Sequence, residues 1–334
     1  ILLGAAFAVL WGTNFPLLSE AFTGTQISVG PPFFNRVNIP IGLILLALTG
    51  IGPVIAWRRA TRRNLKKNFA LPVIMGLVVV AVLFALGARG GYALTTFGIS
   101  TFVLTVIVVE FWKGTRTRAR IEGEGVLPAL GHLITRNRRR WGGYLVHVGV
   151  VLIFTAFAGR SFEVRVTETM NPGESVSVAS PFGHTYTLTY EGLSSSLQGG
   201  AAVQRPNFDQ WVALMSVERN GEAVGVLSTE KRFYPSKRMM TTEVGIRSTP
   251  MEDLYVILAE VKDMEGMLAN DAEAQQIVAE IQINPLVGWI WYGSVVLSIG
   301  SLVALWPGAE LRRREKVVKK AEGPKETVAG AAQA

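Results

Sequence analysis

Long apolar runs constrain this chain more than any other feature of its sequence. Five of them are close to the roughly 20 residues that an α-helix needs to cross the hydrocarbon core of a bilayer. A shorter run opens the chain and predicts only the end of a truncated helix. The predicted transmembrane helices are 1–11 (truncated), 39–57, 69–88, 92–112, 141–159 and 287–307. The pattern predicts a protein that crosses a membrane several times.

The composition agrees with a membrane location and removes several kinds of chemistry. Only 17% of the residues are charged, whereas soluble domains average about 25%. The mean hydropathy of +0.32 excludes an ordinary soluble cytoplasmic enzyme. With no cysteine and three histidines, the chain lacks disulfides, thiolate metal sites and cysteine nucleophiles. It starts at Ile1, within an apolar run and without methionine, so we expect a fragment or one half of a split protein.

The charged residues are segregated along the chain. Residues 160–285 carry 10 Lys and Arg against 17 Asp and Glu, a net charge of −7, although the whole chain has a net charge of +8. Most of the other basic residues lie in three clusters beside apolar runs, at 58–67, 113–140 and 312–325. This is the positive-inside pattern of membrane proteins and not a nucleic-acid groove. It predicts that all three clusters are cytoplasmic and that residues 12–38, 89–91 and 160–285 lie outside.

The acidic external segment has the composition of a β-domain. Runs rich in β-branched and aromatic residues alternate with turn signals, of which Asn220-Gly221 is the strongest cue for a hairpin. We predict an extracytoplasmic antiparallel β-rich domain at 160–286, sandwich or barrel-like, inserted between helices 1–159 and 287–307. Residues 271–280 have helical propensity, and 308–334 are predicted to form a basic cytoplasmic tail without a fold.

His147 is the residue most suited to chemistry. It follows Trp141 by six residues, which places it about 9 Å into a predicted transmembrane helix. Ionisable groups at such depth mark functional sites by default, and a ring nitrogen suits axial ligation of haem iron. The alternative is a packed histidine that is hydrogen-bonded to a neighbouring helix. The other two histidines, His132 and His184, are predicted to be structural or solvent-exposed.

Two groups of residues near His147 allow two interpretations each. The arginines Arg138, Arg139 and Arg140 either anchor the helix to anionic lipid or contact carboxylates of a bound cofactor. Three glycines of the same helix are Gly142, Gly143 and Gly149. They would allow the close approach either of a flat ligand or of another helix.

Several stretches, in this order and spacing, resemble the C-terminal half of the CcmF family, the haem-handling membrane proteins of cytochrome c maturation. The resemblance covers nearly the whole chain. It rests on WGTNFPLLSEAF, QISVGPPFFNRV, RNRRRWGGYLVHVGV, PGESVSV, SPFGHTYTLTYEG, YPSKRMMTTEVGIRSTPMEDLYVIL and INPLVGWIWYGSVVLSIGSLVAL.

The resemblance implies a part in a cytochrome c haem lyase, which joins haem vinyl groups to the two thiols of apocytochrome c. It implies a resident haem b in the membrane, of which His147 matches one axial ligand, and an electron supply that keeps the substrate haem ferrous. It also implies a bacterial inner membrane location with a periplasmic β-domain. The implied partners are the haem chaperone, the thiol-reducing and apocytochrome-presenting subunits, apocytochrome c and the N-terminal half of the same protein.

The chain also departs from the family pattern. It has no counterpart of the tryptophan-rich segment, of its two flanking external histidines or of the second transmembrane histidine. We therefore expect the chain alone to be inactive as a lyase. A cofactor-free membrane scaffold that docks assembly partners is the alternative function. A transport subunit is less favoured, because the helices carry few charged residues.

Overall fold

The computed structural model describes residues 1–55, 62–195, 208–263 and 275–306. It contains two structural classes, a set of long apolar helices and an antiparallel β-sandwich, as the sequence predicts. By contact density the described residues separate into two compact units, one built from helices and one built from the strands with adjoining helix ends. The helices are α1 (Leu2–Thr23), α2 (Pro31–Ile51), α3 (Arg62–Ala85), α4 (Gly91–Glu122), α5 (Val126–Arg136), α6 (Arg138–Gly159) and α7 (Trp289–Leu305).

Five helices are long and apolar enough to cross a membrane, namely α1, α2, α3, α4 and α6. The seventeen-residue α7 is about 26 Å long, at the lower end of the spanning range. Large apolar side chains on these helices face outward, and such continuous apolar surface is suited to lipid or to other helices. Examples of these exposed side chains are Leu3, Phe7, Leu10, Leu71, Leu77, Phe84, Val108, Val295 and Leu302.

The structure corrects the predicted start of the chain. Helix α1 runs to Thr23, so the prediction that the first helix ends at residue 11 and is followed by a loop at 12–38 is wrong. Gly12, Asn14 and Pro16 read as helix breakers in the sequence. They are tolerated in an apolar helix, because neighbouring groups and local adjustments satisfy the backbone groups that such residues free. The Asn14 side-chain amide itself donates to the carbonyl of Leu10. The connecting loop is therefore residues 24–30.

Other helix boundaries also differ from the hydropathy-based prediction, and α3, for example, begins at Arg62 and not at 69. Helix α2 begins at Pro31, where proline fits the first helical turn, and not at 39. Helix α4 continues to Glu122 and not to 112, because Lys and Arg are good helix formers beyond the apolar segment. The predicted cytoplasmic loop that follows contains the short helix α5. The predicted basic tail at 308–334 lies outside the described residues.

Glycines set the packing of the helical unit. A Cβ on Gly12 of α1 would lie 2.8 Å from the ring of Phe33 on α2. A Cβ on Gly50 of α2 would lie 3.0 Å from Phe102 on α4, and one on Gly76 of α3 would lie 2.7 Å from a backbone oxygen of α4. Small residues at such contacts let the helix backbones approach closely, which is how helices associate in the absence of a hydrophobic driving force.

The β-domain is a sandwich of two antiparallel sheets. One sheet has four strands in the order β1-β9-β8-β7, and the other has five in the order β2-β3-β4-β5-β6. Hairpin β4–β5 closes at Asn220-Gly221, where both residues have positive φ, so the predicted hairpin is confirmed. The strands are β1 (Val164–Met170), β2 (Ser175–Ala179), β3 (Thr185–Ser195), β4 (Asp209–Arg219), β5 (Glu222–Tyr234), β6 (Met239–Glu243), β7 (Gly245–Ser248), β8 (Glu252–Val261) and β9 (Ile277–Pro285).

The sandwich core comes from alternate residues of both sheets. Strand β9 is buried at every second position, and Ile277, Ile281 and Ile283 have no solvent exposure. From the other sheet, Trp211 and Met215 of β4 belong to the same hydrophobic cluster. The helix predicted for 271–280 is wrong from Ile277 onward, because β9 begins there and burial of alternate apolar residues favours a strand. Residues 264–274 lie outside the described residues.

Candidate functional site

The N-terminal end of α6 is held to α4 by an ion pair. The Nη2 group of Arg140 donates to Oε2 of Glu110 at 2.9 Å, and the Arg140 guanidinium lies 5.1 Å from the centre of the Trp141 ring. Arg140 thus already has partners within the helical unit. Of the two neighbouring arginines, Arg139 is exposed and Arg138 is half-buried, so contacts of these two with lipid or with a cofactor carboxylate stay predictions.

An aromatic cluster fixes the rotation of α6 against α4. The ring of Phe111 lies 4.7 Å from that of Trp141 and 6.0 Å from that of Tyr144, measured between ring centroids. Gly114 admits this contact, because a Cβ there would lie 2.9 Å from the Trp141 ring. Both Trp141 and Tyr144 are buried. Together with the Arg140–Glu110 pair, these contacts define which side of α6 faces α4.

A second side of α6 packs on α7 through glycines. A Cβ on Gly142 would lie 2.6 Å from the backbone nitrogen of Ala304, and one on Gly149 would lie 2.6 Å from the backbone oxygen of Gly293. A Cβ on Gly300 of α7 would lie 2.6 Å from the backbone nitrogen of Val146. The packing interpretation therefore holds for Gly142 and Gly149. Gly143 is different, because none of the described atoms lies within 4 Å of its Cβ position.

His147 lies on α6 two turns beyond Arg140. It is half-buried, and its Nδ1 atom is buried without a hydrogen-bond partner among the residues that the structure describes. A buried polar atom without a partner is unfavourable by about 1–3 kcal/mol. No hydrogen bond to a described residue explains the position of this imidazole, and Nε2, the nitrogen by which histidine normally ligates haem iron, is not among the buried atoms, which fits the predicted haem. The alternative was a packed histidine with a hydrogen bond to a neighbouring helix, and no described residue makes such a hydrogen bond to Nδ1.

The other two histidines have hydrogen-bond partners. Nδ1 of His132 on α5 lies 2.7 Å from Oε2 of Glu124, whose Oε1 accepts from Nε of Arg118 at 2.7 Å. The hydrogen bond from His132, and next that from Arg118, lower the pKa of the Glu124 carboxyl below its ordinary value. His132 thus joins α5 to the end of α4, which agrees with the structural role predicted for it.

His184 belongs to a buried polar cluster that sequence reasoning did not find. Its Nε2 atom lies 2.5 Å from Oε1 of Glu252, which is 2% exposed. Oε1 also accepts from the hydroxyl of Tyr186 at 3.0 Å, and Oε2 accepts from Oγ of Ser180 at 2.6 Å. Nη2 of Arg219 lies 3.4 Å from Nδ1 of His184. The cluster joins β8 of one sheet to β3 and its preceding turn in the other.

This cluster is better suited to structure than to catalysis. Ser180 and His184 both contact the carboxylate, and no bond joins the serine hydroxyl to the imidazole, as general-base activation requires. Every oxygen of Glu252 accepts a hydrogen bond, so the buried charge is compensated. Within the described ranges, no three His, Asp or Glu side chains are arranged to hold a metal ion.

The Tyr186 hydroxyl gives the cluster a testable pH dependence. Burial, and next the charge of Glu252, raises the pKa of Tyr186 to about 12. The pKa of Tyr186 is higher in the folded state than in the unfolded state. The protonated hydroxyl therefore makes its full contribution to the free energy of unfolding below pH 10. We expect up to about 3 kcal/mol to be lost as the pH rises from about 10 to about 12.

An ultraviolet titration of tyrosinate absorbance, wild type minus Tyr186→Phe, measures this ionisation. We expect the difference to correspond to one tyrosine that ionises near pH 12. A midpoint at the ordinary value near 10 would contradict the buried position of the hydroxyl.

Comparison with known proteins agrees with this architecture. Residues 161–275 match the family model described as the CcmF C-terminal beta-sandwich. The cytochrome c-type biogenesis protein CcmF of Pseudomonas fluorescens is 30% identical over 91% of this chain and 42% of its own length. CcmF of Escherichia coli strain K12 is 26% identical over 97% of this chain and 44% of its own length. The chain thus spans less than half the length of these relatives.

A solved structure shares the fold. A chain described as Cytochrome c Heme Lyase CcmF superposes with a TM-score of 0.66, at 24% sequence identity, over 91% of this chain and 44% of that chain. The family-model match lies on the β-sandwich, and the relatives extend over the helices as well. Residues 161–275 therefore belong to the family of CcmF C-terminal beta-sandwich domains, and the chain as a whole is similar to the C-terminal half of CcmF proteins.

Proposed function

We propose that this chain is the C-terminal part of a haem lyase that assists covalent attachment of haem to apocytochrome c. In this proposal His147 supplies one axial nitrogen to a haem b held among the transmembrane helices. The family relatives are cytochrome c-type biogenesis proteins, which supports the general role. The second ligand and the site of the incoming substrate haem would come from the part of the longer relatives that this chain does not span.

One observation carries the proposal, namely the buried, unpartnered Nδ1 atom of His147 within an apolar helix. Packing on two other sides fixes the orientation of this helix. The Arg140–Glu110 pair and the aromatic cluster hold it to α4, and Gly142 with Gly149 holds it to α7. A ligand on such a rigid element is pre-oriented, so little conformational entropy is lost when it binds.

The residues of this chain bind and orient the cofactor, and the haem iron, when bound, supplies one-electron redox chemistry. The imidazole of His147 provides the nitrogen, and the apolar side chains of α6 exclude water from it. Arg138 and Arg139, near the helix start, are candidate partners for haem propionates or for anionic lipid. Arg140 is a weaker candidate, because its guanidinium already pairs with Glu110.

Charge supports the location and some of the partners that the family resemblance implies. The basic residues of α4 and α6 favour the cytoplasmic side of a bacterial inner membrane, which would place the β-domain in the periplasm. The net charge of −7 at 160–285 favours docking of a basic apocytochrome c or of the haem chaperone. The thiol-reducing and apocytochrome-presenting subunits are proposed as partners from the family resemblance alone. We propose no nucleic-acid partner.

Maturation of c-type cytochromes in cells tests the function. The whole CcmF-family protein that contains this chain would be expressed in a strain without its own CcmF, and covalently haem-labelled cytochrome would be measured after gel electrophoresis. We expect His147→Ala to reduce the labelled cytochrome at least tenfold and His132→Ala to leave it unchanged. Full maturation by His147→Ala at normal protein levels would favour the scaffold without a cofactor.

A further inference from the structure

The glycines Gly142, Gly143 and Gly149 of α6 do not serve the same purpose. Gly142 and Gly149 are seven residues apart, on one side of the helix, and a Cβ on either would overlap backbone atoms of α7. A Cβ on Gly143 would meet no described heavy atom within 4 Å. Glycine in a helix interior destabilises it by about 1 kcal/mol relative to alanine. Helix packing therefore explains two of the glycines and leaves Gly143 without a structural reason.

Helix geometry places Gly143 next to His147. The two residues are four positions apart, so they lie on one face of α6 and about 6 Å apart along the axis. Side chains of a helix lean toward its N-terminal end, so the His147 imidazole leans over the turn that contains Gly143. On the other side of His147, one turn later, Val151 is fully buried. The open surface beside the imidazole is thus the surface of Gly143.

The walls of this surface are rigid. Tyr144, the next residue, is 2% exposed and is held between Phe111 and Trp141. On the opposite side, Gly142 is in contact with Gly300 and Ala304 of α7. The strip that contains Gly143 and His147 therefore lies between two packed sides of α6. It lacks a Cβ one turn before the imidazole, and the exposed Arg139 lies one further turn toward the start of the helix.

We propose that Gly143 is a contact residue for the macrocycle of the haem bound by His147. The inference rests on the proposed function and extends it to a second residue. A planar ring bonded to an axial nitrogen on a helix covers the helix surface beside that nitrogen, and a bulky side chain there would occupy the volume of the ring edge. Glycine leaves this volume free and lets the ring contact the backbone. Gly143 is in this sense a positioning residue, since it contributes no bond to the iron.

Substitutions at Gly143 in the whole protein, purified in detergent, test the inference by haem content and not by activity. We expect Gly143→Leu to reduce the haem per polypeptide, measured as pyridine haemochrome, at least tenfold. We expect Gly143→Ala to reduce it several-fold or to shift the reduction potential of the haem that remains. We expect the thermal unfolding midpoint of both variants to fall no further than that of His147→Ala, because loss of a bound ligand lowers the midpoint by itself and no neighbour is displaced.

Gly131→Leu is the matched control. Gly131 is also inside a helix, α5, and its Cβ position is also without a heavy atom within 4 Å. We expect this variant to keep the wild-type haem content. If Gly143→Leu also keeps the wild-type haem content while His147→Ala loses the haem, the inference fails, although ligation by His147 stands. Another helix or a lipid chain would then cover Gly143. A thermal unfolding midpoint for Gly143→Leu below that of His147→Ala would also overturn it, because the leucine would then disturb the fold itself.

Discussion

Replacing Glu252 by alanine is expected to weaken the β-sandwich more than any other single substitution of a polar residue in it. The change removes the acceptor for Ser180, His184 and Tyr186 at once and leaves their polar groups buried without a partner. A buried polar group that loses its hydrogen-bond partner destabilises a protein by about 1–3 kcal/mol, and three groups lose their acceptor at once here. Because the cluster joins the two sheets, we expect the loss to reach both of them.

Hydrogen exchange measured by mass spectrometry locates this effect in the intact protein. We expect the amides of β3 and β8 to lose about a hundredfold of their protection in Glu252→Ala. Glu260→Ala is the control on the same strand, since Glu260 pairs with Lys262 on an exposed surface, where ion pairs contribute about 0–1 kcal/mol. Equal protection in the two variants would contradict a stabilising role for the buried cluster.

Replacing Gly149 by leucine is expected to separate α6 from α7. The Cβ alone would lie 2.6 Å from the backbone oxygen of Gly293 and from the backbone nitrogen of Leu297, and backbone atoms cannot move aside as side chains do. Overpacking of this kind destabilises by about 1–3 kcal/mol or more. We expect the thermal unfolding midpoint to fall by about 10 °C or the folded yield to be lost.

The thermal unfolding of detergent-purified protein, followed by circular dichroism, measures this effect. Gly131→Leu again serves as the control, because the same side chain is added where no described atom is near. A midpoint for Gly149→Leu equal to that of Gly131→Leu would show that α6 and α7 do not pack through this glycine.

Periodicity and charge predicted most of the architecture. The long apolar runs identified the transmembrane helices, and Asn220-Gly221 identified a hairpin, because both signals are local in the sequence. Boundaries were less predictable. Pro16 lies inside α1, where the rest of the helix outweighs a local breaker signal, and Ile277 lies in a strand because tertiary burial outweighs local propensity.

Pairs that are distant in the chain could not be predicted from one sequence. Glu110 and Arg140 are 30 residues apart, and His184 and Glu252 are 68 residues apart. No local pattern connects the members of either pair, and only the packing of helices or sheets brings them together. His147 was different, because an ionisable residue within an apolar run is conspicuous in the sequence alone.

The absorbance spectrum of the reduced minus the oxidised protein tests ligation by His147 most directly. The whole protein would be purified in detergent from cells that contain the other maturation proteins, beside His147→Ala and the control His132→Ala. We expect a b-type α-band in the wild type and in His132→Ala, and its loss or strong reduction in His147→Ala at unchanged expression. A protein without haem, or an α-band that His147→Ala leaves unchanged, would contradict the account and make His147 a packing residue.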